Sequence, residues 1–359
     1  MYYRKKISVN PGQVSGGPHA EFPLLFNGTD AEIAALAKSD GTDIWFSLLD
    51  GTVLKFDRDE YYAPPTPARQ IFHVRIPSLA TDSEIFVNFG DPDQADLEDK
   101  RGTFDGAGYT EVWHLNSPGT NVGVVGSHVA TLDGGSQATG KIGLCYDLIE
   151  ADDDRITVPD SVDWFFAGGD VTLSLWAYLR DDAFGSFIGQ FVDNDHRWYI
   201  LHNDVGGPGA EFRMYSKDDG NVIGPMGGGS ILEDDWYHLA YTRVGNTHTQ
   251  YINGVQADQI IDAGTFPDLN ALLEIGSLGD DYQVDGRIDE VRIAKGTGVS
   301  GDWLLTEFRN QDDPSAFYTL GALEEISDAA PIPTAGDVSG GTRQARRYRR
   351  TRIQRPTKG

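Results

Sequence analysis

Hydrophobic and polar residues alternate along much of the chain, which is the pattern of half-buried β-strands. The clearest case is Val171–Leu179, where every second residue is apolar and Trp176 and Tyr178 occupy the other face. Between such segments lie eight Asn-Gly or Asp-Gly pairs, beginning at residues 27, 40, 50, 105, 133, 219, 253 and 285. Because glycine adopts positive φ angles freely, these pairs predict tight turns between strands.

One hairpin and two helices are also indicated. Asn253-Gly254 divides the alternating segment Thr249–Gln256 and predicts a hairpin with a type I′ turn. Helical spacing of apolar residues appears in Asp30–Lys38, which starts with an N-capping aspartate, and in Asp302–Asn310. The chain is therefore predicted to be mainly β.

Length, composition and charge exclude some classes of protein. The 359 residues are 39% apolar, enough for two cores, and carry a formal charge of −26. The acidic balance argues against nucleic acid as a partner. No stretch approaches the roughly 18 apolar residues of a membrane span, so we predict no membrane insertion.

The C-terminal end differs from the rest of the chain in charge. Residues 340–359 contain eight basic residues and no acidic one, so residues 1–339 carry −34. A Pro/Ala-rich linker, 327–336, precedes this basic arm and favours an extended tether. The arm could dock on an acidic neighbouring subunit, remain solvated or bind nucleic acid, and the acidic body favours docking. The candidate anchor residues are Arg343, Arg346, Arg347, Tyr348, Arg349, Arg350, Arg352 and Arg355.

Two family resemblances follow from ordered motifs. Residues 1–100 resemble the DUF2341 β-sandwich through the segments 3–9, 22–25, 39–46, 74–77 and 85–90. Residues 109–323 resemble a laminin-G-like, concanavalin-A-like jelly roll through the segments 111–115, 140–143, 171–176, 236–240, 251–254 and 285–293. The predicted fold is all-β, with two β-sandwich domains over 1–100 and 101–326 and the linker and arm over 327–359.

These resemblances imply surface recognition, often of carbohydrate, in bacteriophage virion proteins and secreted bacterial proteins. The first strand begins at residue 2 or 3, which leaves no room for an export signal and favours a virion protein assembled in the host cytoplasm. We predict a non-enzymatic decoration, fibre or tail-associated protein that binds a cell-surface glycan. Its arm would bind neighbouring virion subunits in a homo-oligomer or larger assembly. A cell-surface or extracellular carbohydrate-binding adhesin is the alternative, and a glycoside hydrolase is the third hypothesis.

The hydrolase hypothesis depends on two carboxylates that flank one bond, about 5–10 Å apart. Asp289 and Glu290 are adjacent on a predicted strand, so alternation would place them on opposite faces. Asp285 and Asp289 would be about 13 Å apart on that strand. We therefore predict no catalytic residues.

Calcium is the candidate cofactor, because acidic and amide side chains on loops supply its oxygen ligands. The loop Asp193, Asn194 and Asp195 resembles the calcium loop of pentraxin-type jelly rolls, and Asp280 and Asp281 are the candidate second contributors. Solvated turns explain these residues equally well, since Asp and Asn favour turns.

Two aromatic residues beside this loop, Trp198 and Tyr199, are the candidate glycan-binding residues. Sugar rings stack on exposed aromatic faces, whereas most aromatic surface in proteins is buried in cores. For both Trp198 and Tyr199, the alternative is that the ring packs in the core.

Overall fold

The computed structural model describes residues 1–62, 69–181, 184–204, 210–279 and 282–327. About 51% of the residues lie in strands and 12% in helices, so the all-β prediction is confirmed. The first strands are β1 (Tyr2–Val9), β2 (His19–Gly28), β3 (Trp45–Leu48), β4 (Val53–Leu54), β5 (Phe56–Tyr62), β6 (Arg69–Leu79) and β7 (Glu84–Phe89). The helices are α1 (Ala31–Leu36), α2 (Lys100–Phe104), α3 (Gly301–Asp312) and α4 (Pro314–Phe317).

The remaining strands follow α2 in the chain. They are β8 (Glu111–Trp113), β9 (Thr120–Val122), β10 (Val129–Asp133), β11 (Ser136–Thr139), β12 (Leu144–Leu148), β13 (Arg155–Val158), β14 (Val171–Leu179), β15 (Gly185–Asp193), β16 (His196–Asp204), β17 (Ala210–Asp218), β18 (Asn221–Ile231), β19 (Trp236–Val244), β20 (Thr247–Ile252), β21 (Val255–Ile261), β22 (Leu273–Ile275), β23 (Gly286–Lys295), β24 (Tyr318–Leu320) and β25 (Glu324–Ile326).

The first sandwich packs the sheet β24-β1-β7-β3-β4, with β25 beside β1, against the sheet β2-β6-β5. A cluster of phenylalanines fills the space between them, including Phe26, Phe46, Phe56 and Phe72. As predicted, α1 begins after Asp30, whose carboxylate accepts hydrogen bonds from the first turn.

The jelly roll consists of two larger sheets. We call β18-β17-β16-β15-β22-β13-β10-β9 the front sheet and β11-β12-β23-β14-β19-β20-β21, with β8 beside β23, the back sheet. The predicted alternation of β14 is confirmed, since Val171, Leu173, Leu175, Ala177 and Leu179 all enter the core between the two sheets.

The predicted domain boundary at residue 326 needs correction. The last two strands pair with β1, and the register sets Val9 opposite Tyr318 and Tyr2 opposite Ile326. Trp303 and Leu304 of α3 also enter the core of the first sandwich. Residues 301–326 therefore complete the N-terminal domain, because pairing with β1 satisfies an edge that 1–100 alone would leave open.

The back sheet is the side of the jelly roll that meets this completed domain. Trp176 on its outer face donates a hydrogen bond to Gln311 of α3 at 2.5 Å. Ala240, Tyr251 and Ala294 pack into the first sandwich's core cluster. None of the helices in the described residues is both long and apolar enough to span a membrane.

Candidate functional site

One row of residues crosses the outer surface of the front sheet. Backbone pairing aligns six residues on neighbouring strands, namely Thr131, Thr157, Glu274, Gly189, Tyr199 and Tyr215. Their sequence neighbours Ile156, Leu273 and Trp198 lie in the core, so strand alternation turns the row outward. The Leu278 side chain covers Gly189 and divides the row into two parts.

The first part is an open groove of about 660 Å³, which we call the outer groove. Its polar and aromatic lining includes Asp133, Arg155, Thr157, Phe191, Asn270 and Glu274. Glu274 is held in place because its Oε2 accepts hydrogen bonds from Ser277 Oγ at 2.7 Å and from the Gly279 amide at 3.0 Å. Arg155 Nε lies 3.5 Å from Asp133 Oδ2. The groove thus combines fixed polar groups with an aromatic side chain, as sites for small ligands do.

The second part is a pair of stacked tyrosines, Tyr199 and Tyr215, with ring centroids 5.5 Å apart. The Arg197 guanidinium lies 5.6 Å from both ring centroids. Burial raises the pKa of Tyr199, so its hydroxyl remains a hydrogen-bond donor at neutral pH. We call Tyr199 and Tyr215 the tyrosine pair; both rings are half-buried on the outer surface.

The structure separates the two predicted glycan-binding aromatics. Trp198 is fully buried, packs against Phe166 and Phe266, and donates its indole N–H to Gln190 at 3.0 Å. A sugar cannot reach this ring, so the assignment of Trp198 to glycan binding is corrected to a core position. Tyr199 points the opposite way because neighbours on a strand alternate.

The predicted calcium loop forms the turn between β15 and β16. Asp193 Oδ1 accepts hydrogen bonds from the Asp195 amide and from His196, both at 2.8 Å. Asn194 Oδ1 accepts one from Arg197, and Asp195 forms an ion pair with Lys217. These oxygens are therefore engaged by protein donors. Asp280 and Asp281 lie outside the described residues, and calcium binding stays a prediction.

Asp289 and Glu290 do not point to opposite faces of the sheet, so the prediction from strand alternation is wrong for this pair. Glu290 has a φ of +52°, and the pairing of β23 with β14 shifts register there, which identifies a β-bulge. Both carboxylates consequently turn toward the first sandwich. Asp289 accepts a hydrogen bond from the Ile142 amide at 2.8 Å, and Glu290 lies 2.6 Å from His114 Nδ1.

Glu290 belongs to a group of ionisable residues between the two sandwiches. We call Asp57, Asp59, His73, His114 and Glu290 the interdomain cluster. His114 Nε2 lies 2.8 Å from Asp57 Oδ2, and the His73 and His114 rings stack with centroids 4.9 Å apart. The members of the cluster lie far apart in the chain, so no sequence pattern indicates that they meet.

The cluster perturbs its own ionisation. Burial opposes a charge on His114, but the carboxylates of Asp59, Glu290 and Asp57 raise its pKa well above the ordinary value. Burial lowers the pKa of His73 to about 3 and raises that of Asp59 to about 8. The cluster is thus a buried network of closely coupled charges. The predicted anchor residues, 343–355, lie outside the described residues.

Comparison with known proteins supports the jelly-roll assignment. Residues 150–297 match the family described as the concanavalin A-like lectin/glucanases superfamily. The match covers most strands of both sheets, from β13 to β23. A search of curated proteins found no match to this chain.

Solved structures align with parts of this chain at low sequence identity. Domain 4 of AbnA, a GH43 extracellular arabinanase from Geobacillus stearothermophilus solved with arabinotriose, is 21% identical, with a TM-score of 0.45, covering 56% of this chain and 98% of its own. The binding domain of Paraclostridial Mosquitocidal Protein 1 is 18% identical, with a TM-score of 0.45 and coverages of 56% and 52%. Trypanosoma rangeli sialidase, solved with the inhibitor DANA, is 10% identical, with a TM-score of 0.44 and coverages of 69% and 41%. The chain thus spans about half or less of the latter two proteins.

Proposed function

We propose that this chain is a glycan-recognition protein without enzymatic activity. The proposal starts from the concanavalin A-like jelly roll matched over residues 150–297. The observation that carries the proposal is the outer groove, which combines fixed polar groups with the aromatic ring of Phe191 on one face of the front sheet. An oligosaccharide would lie in the groove, with Glu274 accepting hydrogen bonds from its hydroxyl groups. Beyond Phe191 and Arg197, it would reach the tyrosine pair.

Most of the cations that we name on this surface are paired with carboxylates, which favours a neutral glycan; Arg197 instead donates a hydrogen bond to Asn194. Arg155 lies beside Asp133, Arg213 forms an ion pair with Glu211 at 2.5 Å, and Lys217 pairs with Asp195. Opposite charges that are already paired give little attraction to an anionic sugar. Hydrogen bonding and stacking would then supply the affinity.

A glycan array probed with the full chain tests this function, followed by calorimetric titration of the best neutral ligand. We expect Tyr199→Ala and Tyr215→Ala each to weaken binding about tenfold, which is about 1.4 kcal/mol and matches the loss of one aromatic contact. Glu274→Gln should weaken binding as well, because a charged acceptor forms the stronger hydrogen bond. The bound oligosaccharide should be recovered at its original length.

Tyr178 provides the matched control, because it has an aromatic neighbour, Trp236 at 5.7 Å, and a guanidinium, Arg287 at 5.4 Å, but lies on the back sheet. Tyr178→Ala should leave the affinity unchanged. Loss of binding in this variant alone would move the site to the back sheet. An array with no bound glycan would contradict the proposed function, and shortened oligosaccharides would contradict its non-enzymatic part.

We further propose that the module acts in a bacteriophage particle, tethered by its basic arm to acidic neighbouring subunits. The support is the segregation of charge, with −34 on residues 1–339 and eight basic residues after them. Such an attachment between subunits would be electrostatic and therefore sensitive to salt.

Light scattering after size-exclusion chromatography tests the tether. The full chain should associate at about 0.05 M salt and dissociate at about 1 M, where the screening length falls to roughly 3 Å. A chain ending at Ser327 should be monomeric in both buffers. Association that survives removal of the arm, or that does not respond to salt, would contradict the tether without affecting glycan binding.

A further inference from the structure

The interdomain cluster brings nitrogen and oxygen ligands from both sandwiches to one point. Asp59 and His73 lie on β5 and β6, His114 follows β8, and Glu290 lies at the bulge of β23. One potential ligand atom from each of these four residues lies within 4.8 Å of all the others. His73, His114 and Glu290 are buried, and Asp59 is half-buried, so it marks the side from which an ion would enter.

A second observation concerns His73, which is fully buried. Among the described residues, neither of its ring nitrogens finds a hydrogen-bond partner. Its Nε2 faces Glu290 Oε1 at 3.8 Å, too far for a hydrogen bond. A buried polar group without a partner costs free energy, and an ion held between His73 Nε2 and the carboxylate would give that nitrogen a partner.

From this geometry we propose that the cluster binds one divalent first-row transition-metal ion of the Zn²⁺ class, with Asp59, His73, His114 and Glu290 as ligands. Two imidazoles and two carboxylates form a donor set that suits Zn²⁺. Glu290 Oε1 lies 2.6 Å from His114 Nδ1 and 3.8 Å from His73 Nε2. Donors around a tetrahedral ion with bonds of about 2.1 Å lie roughly 3.4 Å apart, so the His114–Glu290 contact would open as the ion enters. Because the two imidazole rings are stacked, one of them would turn to bring the ion into its plane.

The surroundings of the ligands fit the same assignment. With His114 Nδ1 on the ion, His114 Nε2 would donate to Asp57 at 2.8 Å, an arrangement that orients metal-bound histidines. Arg292 donates to the other oxygen of Glu290 at 2.7 Å, and Asn116 donates to Asp59. Two neutral imidazoles and two carboxylates would balance the charge of the ion. The ion would hold β5 and β6 of the first sandwich against β23 of the jelly roll.

The test uses the full chain, stripped with a chelator and titrated with Co²⁺ and then Zn²⁺. We expect one equivalent of Co²⁺ to bind with the visible absorption of a four-coordinate site, Zn²⁺ to displace it, and the thermal midpoint to rise with either ion. His73→Gln and the milder Asp59→Asn should each weaken binding by about 100-fold or more, since loss of a ligand exceeds the 10- to 100-fold effect of losing an outer partner.

His196→Gln is the matched control, because His196 also lies beside carboxylates, Asp218 and Asp219, but on the surface. It should leave Co²⁺ binding unchanged. A wild-type chain that binds no ion, or only octahedral Co²⁺, would overturn the proposal and leave a proton on His114 as the link between Asp57 and Glu290. Loss of binding in His196→Gln but not in Asp59→Asn would also overturn it. None of these readouts depends on a glycan.

Discussion

Replacing Arg292 with methionine should lower the free energy of unfolding by about 3–5 kcal/mol, the usual result of removing one partner from a buried ion pair. Arg292 is 2% exposed and donates to Glu307 Oε1 at 2.6 Å and to Glu290 Oε2 at 2.7 Å. Methionine would remove the guanidinium from both buried carboxylates, leaving Glu290 beside the His114 ring and Glu307 with the hydrogen bond from the Tyr109 hydroxyl. Equilibrium denaturation at pH 7 measures the loss.

Arg287 is the matched control for this substitution. It lies five positions earlier on β23, and its side chain is 32% exposed. Its Nε lies 3.6 Å from Asp147 Oδ2. Arg287→Met should cost less than about 1 kcal/mol, as for other exposed pairs. Adding Glu290→Gln and Glu307→Gln to Arg292→Met should recover part of its loss. Equal costs for the two arginines would show that the buried pairs do not hold β23 against α3.

The protonation states of Arg292 and Glu290 explain why we expect the substitution of Arg292 to have a large effect. Burial would raise the pKa of Glu290, but the charges of His114 and Arg292 hold it below the ordinary value. The same carboxylates, Glu290 and Glu307, raise the pKa of Arg292 against the effect of burial. Arg292 and Glu290 therefore remain charged at neutral pH. Removing the cation would leave Glu290 with His114 as its partner and would take from Glu307 the guanidinium that now donates to it.

Local features of the fold could be predicted from the sequence because local physical chemistry decides them. Residues close in the sequence determine three of these features, namely the alternation of β14, the N-cap at Asp30 and the Asn253-Gly254 turn. Asn253 and Gly254 both have positive φ, at +54° and +72°. Other Asn-Gly and Asp-Gly pairs failed as turn signals; Gly28 ends a paired strand and Gly286 begins one.

Features that depend on distant residues could not be predicted. The bulge at Glu290 has no local signal, yet it decides that two adjacent carboxylates share a face. The return of Tyr318 to pair with Val9 joins segments more than 300 residues apart. The row that includes Glu274 and Tyr215 exists only once the order of strands in the front sheet is known. The sequence thus allows candidate residues to be named on individual strands. Which of them form one site depends on the order of the strands in the sheet.

The hairpin between β20 and β21 illustrates how a predicted turn gains a second role from its packing. Gly254 lies against α3, and a Cβ on it would come within 2.4 Å of the Leu305 Cα. The helix cannot withdraw freely, because Trp303 and Leu304 are buried in the first sandwich. Gly254→Ala should therefore combine the cost of positive φ, about 1–2 kcal/mol, with an overpacking cost of about 1–3 kcal/mol.

Gly245 separates these two costs. It occupies the turn between β19 and β20 with a φ of +59°, and a Cβ there would meet nothing within 4 Å. Gly245→Ala should cost only the conformational part, about 1–2 kcal/mol, in the same denaturation experiment. A larger loss for Gly254→Ala means that the hairpin tip and α3 are held together, so the contact stabilises the junction between the jelly roll and the completed first sandwich. Equal losses would mean that α3 moves aside and that the junction depends on the ion pairs around Arg292.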